Sequence, residues 1–453
     1  MTEKADVVVI GMGPGGEEVA GRLAEAGLRV VGIENRLVGG ECPYWGCIPS
    51  KMMLRAGMLL AEARRIPGMA GEASVSPDWA PVAARVRAEA TDGWDDRVAV
   101  ERFEGKGGTF VRGTARLTGP RTVTTGDRDF EAERAIVVAT GTKPAIPPVE
   151  GLAGTPYWTN RDALETDTLP RSIVILGGGA VGVEMAQVFH RFGSEVHLAE
   201  VHDRLLAIED PTAGEVLGRA FEREGIDVRY EVRSTSVAYD GETFTVTFQD
   251  GSTLRGERLL VATGRRTDAD QLGLDAAGIE ADRFVPVDGR LRTPVEGVWA
   301  IGDVTGKGPF THVAVYQARI AAADILGEPT EEADYTALPR VIFTDPEIGV
   351  AGPTDDAARE QGVDLVTAVS AAPSSSRGWI NGDGETDVIK LGADRRTGTL
   401  VNAICVGPRG GEVVGMLTLA IGEKVPVSRL RHTIYAFPTF HRGVESALAA
   451  LDI

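Results

Sequence analysis

The sequence predicts an α/β protein made of two parallel-sheet units and a closing α+β unit. Three observations carry that expectation. Residues 6–34 read DVVVIGMGPGGEEVAGRLAEAGLRVVGIE, residues 172–200 read SIVILGGGAVGVEMAQVFHRFGSEVHLAE, and the chain changes character near residue 335. Each stretch is an apolar strand, a Gly-x-Gly-x-x-Gly turn, an amphipathic helix, a second apolar strand and a closing Glu. In both, the Glu follows the first glycine by 23 residues, Gly11 to Glu34 and Gly177 to Glu200.

One glycine triplet is a weak signal. Two in the right strand–turn–helix context, each with an acid at the matching distance, are a strong one. Gly11, Gly13 and Gly16 suit a tight turn, close backbone approach to a pyrophosphate and close helix–strand packing. The helix N-terminus adds amide donors and a positive dipole end. Gly177, Gly179 and Gly182 repeat the device, and Glu34 and Glu200 would accept hydrogen bonds from ribose hydroxyls. Both units are therefore expected to be Rossmann-like dinucleotide-binding domains.

Later segments follow suit. AIVVATG (135–141) and LLVATG (259–264) are apolar strands ending in Ala-Thr-Gly, and TKPAIPPVEG after the first has the composition of a linker. GVWAIGDVTG (297–306) is a further strand, ending in Gly302-Asp303. Beyond residue 335, RVIFTDPEIGVAG, TDVIKLGADRRTGTLVNAICVG and a helical tail suggest an antiparallel α+β domain. SAAPSSSRGWINGDGE (370–385) reads as loop.

Composition excludes several classes. At ~150 residues per domain the 453 residues suit about three domains, and 43% apolar residues suffice for a large core. A net charge of −19 would repel nucleic acid and anionic membranes. The start MTEKADVVVIG has no basic leader, and no apolar run approaches the ~18 residues of a span. A cytoplasmic protein without a membrane span or nucleic-acid partner is expected.

The cysteines are Cys42, Cys47 and Cys405. Reducing conditions disfavour structural disulfides, so a close pair is redox-active or metal-binding, and two thiols without nearby His make a poor metal site. No metal is expected. Cys405, within LVNAICVG, suits a buried strand. Five residues of helix would separate Cys42 and Cys47 by ~7.5 Å along the axis. A disulfide needs Cα atoms within ~7 Å, so a bridge requires a distorted turn, for which Pro43 and Gly46 are suited. A helix beginning there would lower a nearby thiol pKa.

GGECPYWGCIPSK (39–51) resembles the signature of the class I pyridine nucleotide–disulfide oxidoreductases, among them dihydrolipoamide dehydrogenase, glutathione reductase, mercuric reductase and soluble transhydrogenase. The glycine turns, both Ala-Thr-Gly strands, Gly302-Asp303 and FTDPEIGVAG extend the resemblance along the chain. It implies an FAD domain (1–147), an NAD(P) domain (148–268), a return to the FAD domain (269–334) and a C-terminal dimerisation domain (335–453) of a homodimer. It implies that Cys42 faces substrate, that Cys47 lies against the flavin, and that Lys51 pairs with Glu184 beside it. Gly11, Gly13, Gly16, Glu34, Gly40, Lys51, Ala115, Gly141 and Asp303 are the implied FAD residues. Gly177, Gly179, Gly182, Glu200 and Gly264 are the implied nicotinamide residues. Glu200 suits a free 2′-hydroxyl, so NAD(H) is favoured over NADP(H), with His202 and Arg204 close enough to soften the preference.

The tail departs from the family. Where its members carry His-Pro-Thr and a Glu five residues after the His, this chain has Phe437-Pro438-Thr439 and Arg442. Loss of acid–base help costs ~10²–10⁴ in rate. His441 is the candidate substitute, four residues beyond Phe437 and on its face if the segment is helical, with Glu445 placed to orient it. Soluble transhydrogenases are similar at Gly13–Glu17 and Trp45-Gly46 and carry an aromatic before Pro-Thr, but lack the second cysteine. The ketopropyl-coenzyme M oxidoreductase/carboxylase type pairs a Phe with a downstream His. LAALDI at the end holds no cysteine pair, which disfavours mercuric reductase. The expected function is FAD-dependent electron transfer from nicotinamide to the Cys42–Cys47 pair and on to a small-molecule or protein disulfide, or another soft acceptor. Alternatives are dihydrolipoamide dehydrogenase-like activity using His441, flavin-direct quinone or transhydrogenase activity, carboxylase-like chemistry, and a non-catalytic redox sensor.

Overall fold

The computed structural model describes residues 2–371, 376–382 and 388–453. Its first sheet has the order β3-β2-β1-β6-β5-β4, from β1 (Glu3–Ile10), β2 (Val30–Glu34), β3 (Thr109–Arg112), β4 (Ala115–Gly119), β5 (Thr122–Thr125) and β6 (Arg128–Val138). The strand Val298–Ala300 pairs parallel with β6, so a segment from late in the chain completes a sheet begun at residue 3. In β1, Val8 and Ile10 join one apolar core while Val7 and Val9 join another. Alternate side chains leave opposite faces of a strand, so the unbroken run VVVI is what a sheet covered on both faces requires.

The second glycine motif builds a four-stranded parallel sheet ordered Asp227–Arg229, Glu195–Ala199, Ser172–Leu176, Arg258–Val261. The same division recurs: Ile173 and Ile175 face one core, Val174 and Leu176 another. A three-stranded antiparallel sheet lies beside it in the chain (Ser234–Tyr239, Phe244–Phe248, Thr253–Gly256). Lys143–Pro144 pairs with Arg265–Arg266, tying the exits of the two Ala-Thr-Gly strands together.

The C-terminal part is a five-stranded antiparallel sheet, Pro339–Ile342, Glu347–Ala351, Thr399–Gly407, Val388–Asp394 and Leu365–Ala371, packed against the helix Gly410–Gly422. Cys405 is 2% exposed in its central strand, as the sequence suggests. The stretch 370–385 is not simply loop: Ser376–Asn381 is a short helix, and the remainder of that expectation falls partly on 372–375 and 383–385, outside the described residues. Among the described residues, no helix is long and apolar enough to cross a membrane.

Candidate active site

The glycine turns are forced by space. Gly11 lies at φ +92°, and a Cβ there would stand 2.6 Å from the Ala139 carbonyl oxygen. A Cβ on Gly16 would stand 2.0 Å from the Gly11 carbonyl oxygen, so α1 (Pro14–Glu25) can dock on β1 only without a side chain. Gly182 stands in the same relation to Gly177, at 1.9 Å. Gly13 and Gly179 differ: a Cβ on either meets nothing within 4 Å. Each therefore faces open space at the N-terminus of a helix of 12 or 13 residues, a cradle that fits a pyrophosphate. Glu34 and Glu200 close these turns from the ends of their strands. Glu34 accepts from the Met12 amide at 2.9 Å and from Arg36 at 2.8 Å, while Glu200 accepts from Gly178 at 2.5 Å and from His202 at 2.9 Å.

The cysteine segment folds as two helices. α2 (Glu41–Trp45) carries Cys42, and α3 (Cys47–Arg64) begins on the second cysteine. Gly46 breaks them at φ −143°, ψ −115°, which is the distorted turn the spacing demanded. Gly40 at φ +65° brings the segment against the first glycine turn, where a Cβ would stand 2.8 Å from Gly13 Cα. Cys42 and Cys47 are free thiols joined by a hydrogen bond. That bond lowers the Cys47 pKa; burial opposes it, and Thr311 and the Lys51 charge add to it, for a value of about 6. The same bond, with burial, pushes Cys42 well above the usual thiol range. Thr311 Oγ1 lies 3.5 Å from Cys47 Sγ and bonds Cys42 as well.

One turn along α3, Lys51 Nζ reaches the two oxygens of Glu184 at 3.1 and 2.8 Å. Glu184 is buried and also accepts from the Phe343 amide at 3.0 Å, and Lys51 sits 4.7 Å from the centre of the Phe343 ring. At the other end of α3, Arg64 donates to the Arg191 carbonyl at 3.0 Å and Arg65 to Asp345 at 2.7 Å. Asp303 accepts from Thr142 at 2.7 Å, and Arg265 donates to the Thr142 hydroxyl and carbonyl at 2.8 and 2.7 Å. Gly141 and Gly264, at φ +64° and +117°, follow the strands Arg128–Val138 and Arg258–Val261 of the two sheets and face open space. Ala115 is buried at the start of the edge strand β4, two residues after Gly113, whose amide donates to the Glu34 carbonyl at 3.0 Å.

Among the described residues, no hydrogen bond or ion pair joins the tail to the cysteines. Phe437 is 69% exposed and Ile434 97%, and the helix begins only at Arg442, so Phe437 and His441 do not share a helical face. His441 is the residue before that helix, and Glu445 pairs with Arg442 rather than with His441. The sequence reading missed Thr311, Phe343, Thr142 and Arg265. Thr142, immediately after Ala-Thr-Gly, and Phe343, which opens FTDPEIGVAG, had a signal in their motifs. His312, next to Thr311, donates through Nε2 to the Pro339 carbonyl, 3.0 Å away. Burial holds its pKa below the usual histidine value.

Comparison with known proteins agrees with this architecture. The model of the pyridine nucleotide-disulphide oxidoreductase family matches residues 5–318, and that of the pyridine nucleotide-disulphide oxidoreductase dimerisation domain matches residues 338–448. A mercuric reductase of Shigella flexneri is 33% identical over 458 residues, covering 97% of this chain and 80% of its own. A dihydrolipoyl dehydrogenase of Chlorobaculum tepidum is 34% identical over 460 residues, covering 99% and 97%. Among solved structures, LpdA from Mycobacterium tuberculosis superposes with a TM-score of 0.86 at 26% identity, covering 99% of both chains. The HOCl-induced flavoprotein disulfide reductase RclA from Escherichia coli gives 0.85 at 26%, covering 98% of this chain and 99% of that one. Paired glycine cradles, a thiol pair at a helix start and an antiparallel C-terminal sheet thus have one reading: the chain belongs to the FAD-dependent pyridine nucleotide-disulphide oxidoreductases and carries their dimerisation domain.

Proposed function

We propose that this enzyme takes an electron pair from NADH to the Cys42–Cys47 pair and passes it to a disulfide or another soft acceptor. In this reading residues 1–147 and 269–334 hold FAD, 148–268 hold the nicotinamide dinucleotide, and 335–453 form the dimer interface. The pairing of Val298–Ala300 with β6 supports the split first domain. Gly11, Gly13, Gly16, Glu34, Gly40, Gly141 and Asp303 would hold FAD, with Lys51 and Glu184 beside its ring. When bound, FAD supplies the conversion between hydride from nicotinamide and the electron pair that opens a disulfide. Glu200 favours NADH because a carboxylate repels a 2′-phosphate.

The observation that carries the proposal is the unequal protonation of the two thiols. Cys47, at about 6, is a thiolate at neutral pH, while Cys42 keeps its proton. Cys42 sulfur attacks the acceptor disulfide, breaking its S–S bond, releasing one acceptor thiol and leaving the other acceptor sulfur in a mixed disulfide with Cys42. Cys47 thiolate then attacks Cys42 sulfur, forming the Cys42–Cys47 disulfide and releasing the second thiol. Two electrons leave the pair, and the acceptor sulfurs take one proton from Cys42 and one from water.

Cys42 must lose its proton before it attacks, and its hydrogen-bond partners are the Cys47 sulfur and the Thr311 hydroxyl. With Phe437 in place of a base, the acceptors served best are those with good leaving groups or their own acid. A reducing cytoplasm suits such a dithiol. The test is anaerobic reduction with NADH followed by an acceptor screen on wild type and Cys42→Ser. Loss of disulfide turnover in the variant supports the reading; turnover with quinones alone, indifferent to Cys42, overturns it.

A further inference from the structure

α2 is too short to hold itself. A helix of five residues is far below the ~12 that are marginal in water, and Gly40 at its N-terminus offers no side-chain cap. Its position is imposed from outside, and Glu41 gathers most of the contacts. Asn160 Nδ2 donates to Glu41 Oε2 at 3.1 Å and to the Trp45 carbonyl at 2.6 Å, gripping both ends of the helix. Arg161 forks onto Glu41 Oε1, with Nε at 2.9 Å, and lies 4.5 Å over the Trp45 ring. Trp45 Nε1 donates to Glu165 at 2.5 Å. Arg265 brings Nη2 to 3.5 Å from Glu41 Oε2. From the chain between α2 and residue 160, Trp94 donates to the Tyr44 carbonyl at 3.3 Å.

These partners share an origin. Asn160, Arg161 and Glu165 form one short helix, entered from Trp158, which is hydrogen-bonded on both sides to Leu259 and Val261 of the second sheet. Arg265 leaves the same strand four residues after Val261 and also holds Thr142, the partner of Asp303. Two exits from one strand pair of the second sheet thus converge on a single carboxylate, and that carboxylate precedes Cys42 in the chain.

We propose that Glu41 is a positioning residue that fixes α2, and with it Cys42, to the second sheet. It leaves Cys47 to the separate anchorage of α3. The proposal rests on the reading of Cys42 as the sulfur that meets the acceptor. A displacement near 1 Å at a reacting atom costs up to ~10²-fold, so Glu41 governs delivery from the thiol pair and not its loading.

The holoenzyme with Glu41→Ala, Glu41→Gln and Arg161→Lys tests this, using NADH as donor and 5,5′-dithiobis(2-nitrobenzoate) as disulfide acceptor. Stopped-flow reduction by NADH should stay within about twofold of wild type, while transfer to the acceptor falls roughly 10- to 100-fold in Glu41→Ala. Glu41→Gln, which still accepts from Asn160, should fall less. Iodoacetamide labelling of the reduced protein, read by mass spectrometry, should change in rate at Cys42 and not at Cys47. Acceptor turnover within twofold of wild type in Glu41→Ala overturns the proposal, as does an equal fall of both half-reactions. If Glu41→Ala does not fold, Arg161→Lys must show the same split, since it breaks the fork and keeps the charge. If Cys42→Ser retains turnover with this acceptor, the underlying reading fails whatever Glu41 does.

Discussion

Thr311 and Cys47 meet across 264 residues of chain, hydroxyl to sulfur at 3.5 Å, and the same hydroxyl bonds Cys42. One side chain therefore stabilises the charge on one thiol and the pair's geometry together. The alkylation rate of Cys47 should rise with pH through a midpoint of about 6 and level off near neutrality. Thr311→Val removes a donor to the thiolate, so the midpoint moves up. The folded value lies below the ~8.5 of a free thiol, so this thiolate contributes stability to the dithiol protein above that value. That contribution is lost as pH falls through about 6. An iodoacetamide pH–rate profile on both proteins checks the order of the midpoints.

Glu184 is buried with both oxygens occupied by Lys51 and the Phe343 amide. Lys51→Met strips the charge partner and leaves a buried carboxylate, so the protein should lose roughly 1–3 kcal/mol in urea denaturation. Glu184→Gln keeps an acceptor for Phe343 and needs no counter-charge, so it should cost less. A larger loss in Glu184→Gln than in Lys51→Met contradicts this account.

The two kinds of motif glycine should fail differently. Gly182→Ala places a Cβ 1.9 Å from the Gly177 carbonyl oxygen and must move a helix off its strand, at roughly 2–4 kcal/mol. Gly179→Ala meets nothing and should stay within about 1 kcal/mol of wild type. Its methyl group instead fills the cradle, weakening NADH roughly tenfold. Thermal melts and calorimetric titration with NADH separate the two effects.

In the tail, Glu445 serves Arg442 and His441 has no side-chain hydrogen bond among the described residues. His441→Gln should therefore leave disulfide turnover within about twofold between pH 6 and 8. Phe437→His combined with Arg442→Glu restores the missing dyad and should raise oxidation of dihydrolipoamide by up to ~10²-fold at neutral pH. Steady-state rates across pH on the three proteins decide it.

What the sequence made legible was whatever repeats at short range. The glycine turns, the runs VVVI and SIVIL and the alternation of faces follow from contacts within some 30 residues, and so does the break at Gly46. Thr311 and Arg265 were illegible because a lone threonine or arginine carries no periodicity. Their meaning comes from partners 264 and 123 residues away, Cys47 and Thr142. The helix Ser376–Asn381 was hidden for a different reason: a Ser/Gly-rich composition argues for loop, and Trp379 with Ile380 was too short a run to outweigh it.

α3 is an 18-residue rod of about 27 Å. Its sulfur end is reached by Thr311 and tied through Lys51 to Glu184, and its far end is bolted by Arg64 and Arg65 to Arg191 and Asp345. The two cysteines thus differ in mechanics as well as in charge. Cys47 is a fixed electrode, located by a long strut with a distant foundation. Cys42 is carried on a short arm beyond the break at Gly46 and is located by a different part of the chain, so the two sulfurs answer to separate foundations.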